Sequence, residues 1–116
     1  MITIRRVRRE DLPSILRIER GSFGRDAWNR AAFLDYLAVP DRSLFLCAMD
    51  GGAIAGYVLA ARRGIRAEVD SIAVAPRHRG RGLAAVLLKR ALAQLRRQGV
   101  RTVSLNVRLE NKAAIR

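Results

Sequence analysis

Between residues 43 and 74 the chain runs through three apolar stretches of strand length with almost nothing between them. SLFLCAM passes through Asp50-Gly51-Gly52 into AIAGYVLAA, and Arg62-Arg63-Gly64 turns that run into AEVDSIAV. Connections this short leave no room for a crossover helix, so the strands must lie antiparallel, as a meander. No other feature of the sequence narrows the fold as far. Ahead of the meander, Ile2, Ile4 and Val7 suggest a further strand. Asp11 is placed to cap a helix that has Pro13 in its first turn and Ile15 and Ile18 facing inward. Phe33, Leu34 and Leu37 mark a second helix that ends before Pro40.

After the meander comes the clearest helical pattern. From Gly82 to Gln98, Leu83, Val86, Leu87, Ala91 and Leu95 share one face, opposite Lys89, Arg90, Arg96 and Arg97. Gly99 is placed to end this helix. RTVSLNV, at 101 to 107, reads as another strand, and NKAAIR as the first turn of another helix. The expected fold class is therefore α/β with a mixed sheet: an antiparallel meander followed by a βαβ unit, cut short one turn into its last element. At 116 residues this is a single domain spanning 1–116, expected to be incomplete at its C-terminus.

One junction carries chemistry. Arg77, Arg79 and Arg81 crowd around Gly80 and Gly82 where the last meander strand gives way to the helix. Cations this close repel one another unless something negative sits among them. The first N–H groups of a helix lack internal partners and carry the positive end of its dipole, so such a turn binds anions. Phosphate is the expected partner. No Gly-Lys-Ser/Thr follows, which excludes a Walker loop. Gly80, Gly82 and Ala85 satisfy G-x-G-x-x-A, but a meander precedes them, and Asn106 stands near where the ribose-binding acid of a dinucleotide fold belongs.

The net charge of +13 raises nucleic acid as a partner, and almost all of it is arginine, with Lys89 and Lys112 the only lysines. Aromatics at 5% are few for a platform under single-stranded bases. A solvated basic face is the preferred reading, with nucleic acid kept as an alternative. No apolar run reaches the roughly 18 residues of a membrane span, so no membrane role is expected. Cys47 is the one cysteine, which suits a reducing cytoplasm and reads as a small buried hydrophobe.

Ser71-Ile72-Ala73-Val74-Ala75-Pro76, followed by Arg79-Gly80-Arg81-Gly82-Leu83-Ala84 and Leu87-Leu88, resembles motif A of the GNAT acetyltransferases. Its signature, Q/R-x-x-G-x-G/A, is met by Arg79, Gly82 and Ala84. The order of elements is similar to that family over nearly the whole chain. The branch it most resembles is the ribosomal-protein-alanine N-acetyltransferases, from Ile72-Ala73-Val74 and the segments at 105–108 and 111–115.

The resemblance implies that acetyl-coenzyme A is the co-substrate, its pyrophosphate held by backbone N–H groups of residues 79–84 with charge from Arg77, Arg79 and Arg81. Splayed strands would free backbone groups of Ile72, Ala73 and Val74 for the pantetheine arm, and Asn111 matches a cofactor-contacting asparagine. An amine, on a protein or peptide N-terminus or a small molecule, would attack the thioester directly, with no metal. His78 then reads as a loop residue. Asn106 occupies the position of that branch's glutamate base and cannot take a proton, so Glu68 and Asp70, on one face of their strand, are the candidate bases. The family's acid, a tyrosine, would fall beyond Ile115. Two alternatives stand beside the acetyltransferase: a non-catalytic coenzyme A-binding regulatory module, and a basic nucleic-acid or ribosome-binding domain. The strand at 101–107 would present an exposed edge, through which two copies are expected to pair.

Overall fold

Only Gly51 and Gly52 separate strand β2 (Ser43–Asp50) from β3 (Ala53–Arg63), with Gly51 at φ 63° closing the turn in left-handed backbone. These and the other elements come from a computed structural model that describes residues 1–106. Gly64 and Ile65 lead from β3 into β4 (Arg66–Val74), and β1 (Ile2–Arg6) lies antiparallel along β2. Helix α3 (Leu83–Arg97) then crosses over, and β5 (Thr102–Leu105) pairs parallel to β4. Among the described residues the sheet has five strands in the order β1-β2-β3-β4-β5. The meander and the βαβ unit both form as expected.

Strand β2 and most of β3 run as near-continuous apolar stretches because both faces are covered. Leu44 and Leu46 of β2 join Val58, Val69, Leu87, Ala91 and Leu95 in a core beneath α3. Phe45 and Cys47, alternating with them, face α1 (Leu12–Phe23) and α2 (Arg30–Leu37), against Ile15, Phe33, Tyr57 and Leu59. Burial pushes the Cys47 thiol above its ordinary range, which suits an inert core position.

Three local expectations are corrected. Val86 does not share the buried face of α3 and is 46% exposed. The buried positions fall every fourth residue and drift about 40° per step, which leaves Val86 roughly 120° from the centre of the stripe. Asp11 occupies the N-cap position of α1 without capping it. Its carboxylate accepts from the Arg8 N–H (2.7 Å) and from both ends of the Arg5 guanidinium (2.8 and 2.9 Å). That pairing, led by Arg5, holds the Asp11 carboxyl below its ordinary range. Finally, β5 is four residues long, where seven were expected; Val107 lies outside the described residues, as does the expected helix start at 111–116.

Two irregularities position the site. Leu59 pairs with Ser71 but Ala60 pairs with Val69, so Asp70 is an extra residue in β4, a bulge. The alternation reverses across it: Ala67 and Val69 face the α3 core, whereas Ser71 and Ala73 face α1. The second is Gly56, opposite Val74. A Cβ there would stand 2.8 Å from the Ala73 carbonyl oxygen and 3.3 Å from Leu87 Cδ1. Gly56→Ala is therefore expected to destabilise the domain by about 1–3 kcal/mol through overpacking. Urea unfolding should show a lower midpoint at unchanged slope.

Candidate functional site

The glycine turn has the backbone that an anion needs. Gly80 (φ 79°) and Gly82 (φ 73°) are left-handed, and a Cβ on either would meet nothing within 4 Å. Gly82 is the N-cap of α3 and no side chain caps it, so the first N–H groups of the helix have no side-chain partner there. Arg77 and Arg81 are exposed beside it. Arg79 differs from expectation. Its Nε donates to the Val74 carbonyl (3.0 Å) and its Nη2 to Ser22 Oγ on α1 (3.2 Å). Its guanidinium thus braces the loop against the fold, leaving Arg77 and Arg81 as the exposed cations of this segment. His78 is a buried loop residue, its Nε2 2.9 Å from Asp50 Oδ2, and ties the turn to the β2–β3 hairpin.

From this turn the free edge of β4 leads back to Asp70. Pairing with β5 covers residues 66–69, and the Asn106 N–H donates to the Val69 carbonyl (2.9 Å) as the last rung. Beyond it, among the described residues, no strand lies on the side of residues 70–74 that faces away from β3. The Ala75 N–H donates to the Ala55 carbonyl (2.7 Å), which fixes the phase of the β3–β4 ladder. Tyr57 and Ala73 are then a hydrogen-bonded pair, while Val74 and Ile72 turn their polar groups to the free side. This corrects the expectation for Ala73, whose N–H and C=O are engaged by β3. Ile72 offers both groups to the edge; the Val74 carbonyl is taken by Arg79. Four residues of strand span about 13 Å.

At the far end of this edge Asp70, Glu68 and Asn106 line one cleft of ≈ 710 Å³ with Trp28, Tyr36 and Ser104. The three residues that the sequence nominated for catalysis are brought together. Asp70 is 8% exposed, and burial pushes its carboxyl up to about 6; hydrogen bonding and like charge from Glu68 add to this, and a hydrogen bond from Tyr36 opposes it. That hydrogen bond is 2.8 Å, from the Tyr36 hydroxyl to Asp70 Oδ2. Trp28 stacks on the Tyr36 ring, centroids 5.9 Å apart and planes 9° from parallel.

Behind this wall lies a carboxylate that sequence reasoning missed. Glu19 of α1 is fully buried, accepting from the Tyr57 hydroxyl, from Ser71 Oγ (3.4 Å) and from the Trp28 N–H (2.8 Å). It anchors Trp28, hence the stacked Tyr36, from the core side. The signal was available: Glu19 stands one turn after Ile15 on the apolar face of α1, where a carboxylate must find donors. Tyr36 and Trp28 carried no comparable mark. Asn111 lies outside the described residues. Among the described residues no His, Cys, Asp or Glu cluster is fit to hold a metal.

A glycine turn at an uncapped helix start, a bare strand edge and a carboxyl pushed up to about 6 are thus arranged in series. This suits an extended ligand, anionic at one end and reacting at the other. Comparisons with known proteins agree. The model of the acetyltransferase (GNAT) family matches residues 9–116. The N-alpha-acetyltransferase RimI of Mycobacterium tuberculosis is 37% identical over 119 residues, covering 98% of this chain and 73% of that protein. The crystal structure of the ribosomal-protein-S18-alanine N-acetyltransferase of Escherichia coli superposes with a TM-score of 0.84 at 30% identity, covering 99% of this chain and 72% of that one. The PaiA N-acetyltransferase of Thermoplasma acidophilum, solved with coenzyme A, shares the fold at 18% identity and a TM-score of 0.78, covering 86% and 75%.

Proposed function

The chain belongs to the GNAT acetyltransferase family, and from that premise we propose which of its residues carry acetyl transfer from acetyl-coenzyme A to an amine, and which amine. The co-substrate supplies the activated acetyl group and the thiolate leaving group. The turn at 79–84 binds the pyrophosphate through backbone N–H groups, with Arg77 and Arg81 adding charge. Ile72 pairs its N–H and C=O with the pantetheine arm along the free edge, and Arg79 holds the turn in place. Leu83, Gly80 and Ala84 act through the backbone they shape, and Asn111 is assigned to the same co-substrate by its family position.

Asp70 is the base, and its hydrogen-bonded pair with Tyr36 is the observation that carries the reading. A carboxylate at about 6 lies roughly 2 pH units below an N-terminal ammonium, which ionises near 7.7–8.0, and more than 4 below a lysine at 10.4. Proton transfer is therefore far better matched to an α-amine than to a side-chain amine. Burial keeps the Asp70 proton affinity high, Glu68 adds to it, and Asn106 borders the amine's approach as a neutral neighbour. Asn106 alone would favour a binding module without catalysis; Asp70 supplies the missing base.

The acceptor is thus a protein or peptide N-terminus. The Escherichia coli relative is named for the alanine of ribosomal protein S18, so alanine-initiated peptides are the first to test. The setting is cytoplasmic, and two copies pair along the outer edge of β5; one cysteine in the chain and no strand outside β5 among the described residues support these assignments. Among the described residues no helix is long and apolar enough to cross a membrane. The test is release of free coenzyme A with peptides bearing a free N-terminus, against the same peptides blocked there but carrying lysine. Free N-termini should react at least about 10²-fold faster, the ratio expected from the difference in amine pKa. Equal or faster reaction of lysine would overturn the assignment of the acceptor.

A further inference from the structure

Between Asp70 and Glu110 the sequence has no acidic residue, and the fold gathers three cations of that stretch, Arg96, Arg97 and Arg101, with others at one end of the molecule. The Arg101 N–H donates to the Ile65 carbonyl (2.7 Å), placing it at the β3–β4 turn, where Arg63 pairs across from Arg66. Arg62 reaches from the same turn to Gln98 at the end of α3 (Nη1 to Oε1, 3.3 Å), beside Arg96 and Arg97, and its N–H donates to the Arg42 carbonyl (2.8 Å). All of these arginines except Arg62 are exposed, and none of the seven forms an ion pair among the described residues. Asp35 and Asp41 border the adjoining groove without reaching them. By contrast Arg5, opposite Cys47 in the middle of β2, is paired bidentately with Asp11.

We propose that this end of the molecule is a docking surface for the phosphate backbone of double-helical nucleic acid. Guanidinium groups present a planar fork that takes phosphate oxygens two at a time, which an ammonium does not. The cations sit on a rigid helix end and a tight hairpin, so little ordering is lost on contact. Stacking on single-stranded bases needs aromatic rings, and none lies among these residues. Insertion into a lipid surface needs an apolar face beside the cations, and Ile65 is the one exposed apolar side chain of the turn. The surface lies next to the acceptor cleft, because Arg63 and Arg66 border both. The inference stands on charge placement alone, so it survives or fails separately from acetyl transfer.

The probe is a short fluorescent RNA duplex, with a DNA duplex of the same sequence, titrated by anisotropy over a range of potassium chloride concentrations. Arg96→Glu/Arg97→Glu/Arg101→Glu changes the patch while leaving the cleft and the glycine turn untouched. Arg17→Glu/Arg20→Glu/Arg25→Glu makes the same change in net charge at exposed positions of α1 and the turn after it. Unchanged acetyl-coenzyme A affinity certifies that both variants are folded. The patch variant should bind duplex at least ten-fold more weakly and lose roughly 0.9 in the slope of log K against log salt for each phosphate contact removed. The α1 variant should change little. Stronger binding of RNA than DNA would identify the A-form backbone as the ligand, and the reverse would identify B-form DNA. Equal losses in the two variants, no duplex binding at physiological salt, or equal binding to poly-glutamate or to anionic vesicles would overturn the proposal.

Discussion

Asp70→Asn should lower turnover about 10²–10⁴-fold, the usual contribution of a general base, while acetyl-coenzyme A still binds. The variant keeps an oxygen for the Tyr36 hydroxyl, so the wall of the cleft stays built. In the parent protein kcat/KM should rise with pH through a limb near 6, where the carboxyl ionises, and the variant should lack that limb. Stability should move the other way. An aspartate that ordinarily ionises at 3.8 and here at about 6 holds its proton more tightly in the folded state. Between those values the folded protein is protonated and the unfolded chain is not, so stability falls as pH rises. Above 6 a constant cost remains, on the order of 2–3 kcal/mol. Asparagine has no such cost. Melting temperatures of the two proteins should draw apart, in favour of the variant, between pH 4 and pH 7. A variant that is less stable at pH 7 and no slower would show that Asp70 is merely structural.

Gly82→Glu should abolish co-substrate binding in a protein that still folds. Left-handed backbone at φ 73° costs a residue with a Cβ roughly 1–2 kcal/mol. A carboxylate at a helix N-terminus returns about 0.3–1 kcal/mol of that. No neighbouring atom within 4 Å opposes the side chain. The charge, however, lands where phosphate must sit. Two like charges about 4 Å apart repel by about 4 kcal/mol at a protein surface, near 10³-fold in affinity. Calorimetry with acetyl-coenzyme A measures it, with Gly82→Ala separating backbone strain from charge. Unchanged affinity in the glutamate variant would remove the turn from the site.

The meander was legible because its turns are too short to allow another topology, and the glycine turn before α3 because glycine at positive φ leaves a local mark. What escaped the sequence is contact between distant residues. Asp70 and Tyr36 are 34 positions apart, and nothing in either neighbourhood announces the pair. Arg79 fits the family signature equally well whether its side chain points out to phosphate or in to Val74 and Ser22. Ala73 was grouped with Ile72 and Val74 because a linear motif does not show which amides face which neighbour. That depends on ladder phase. Val86 failed for a simpler reason: an apolar residue near a stripe was counted as part of it.

The extra residue at Asp70 also bears on how such a domain can diversify. On either side of it β4 keeps strict alternation, but in two separate phases. Residues 66–69 are in step with β5, and residues 71–74 lead into the glycine turn proposed for the co-substrate. The bulge works as a joint between two modules. The half proposed for the acceptor can be recut, one side chain at a time, without shifting the frame of the half proposed for the common donor. Closing the joint by deleting one residue would give a more regular strand and lock the two halves into a single phase, so that neither could change alone.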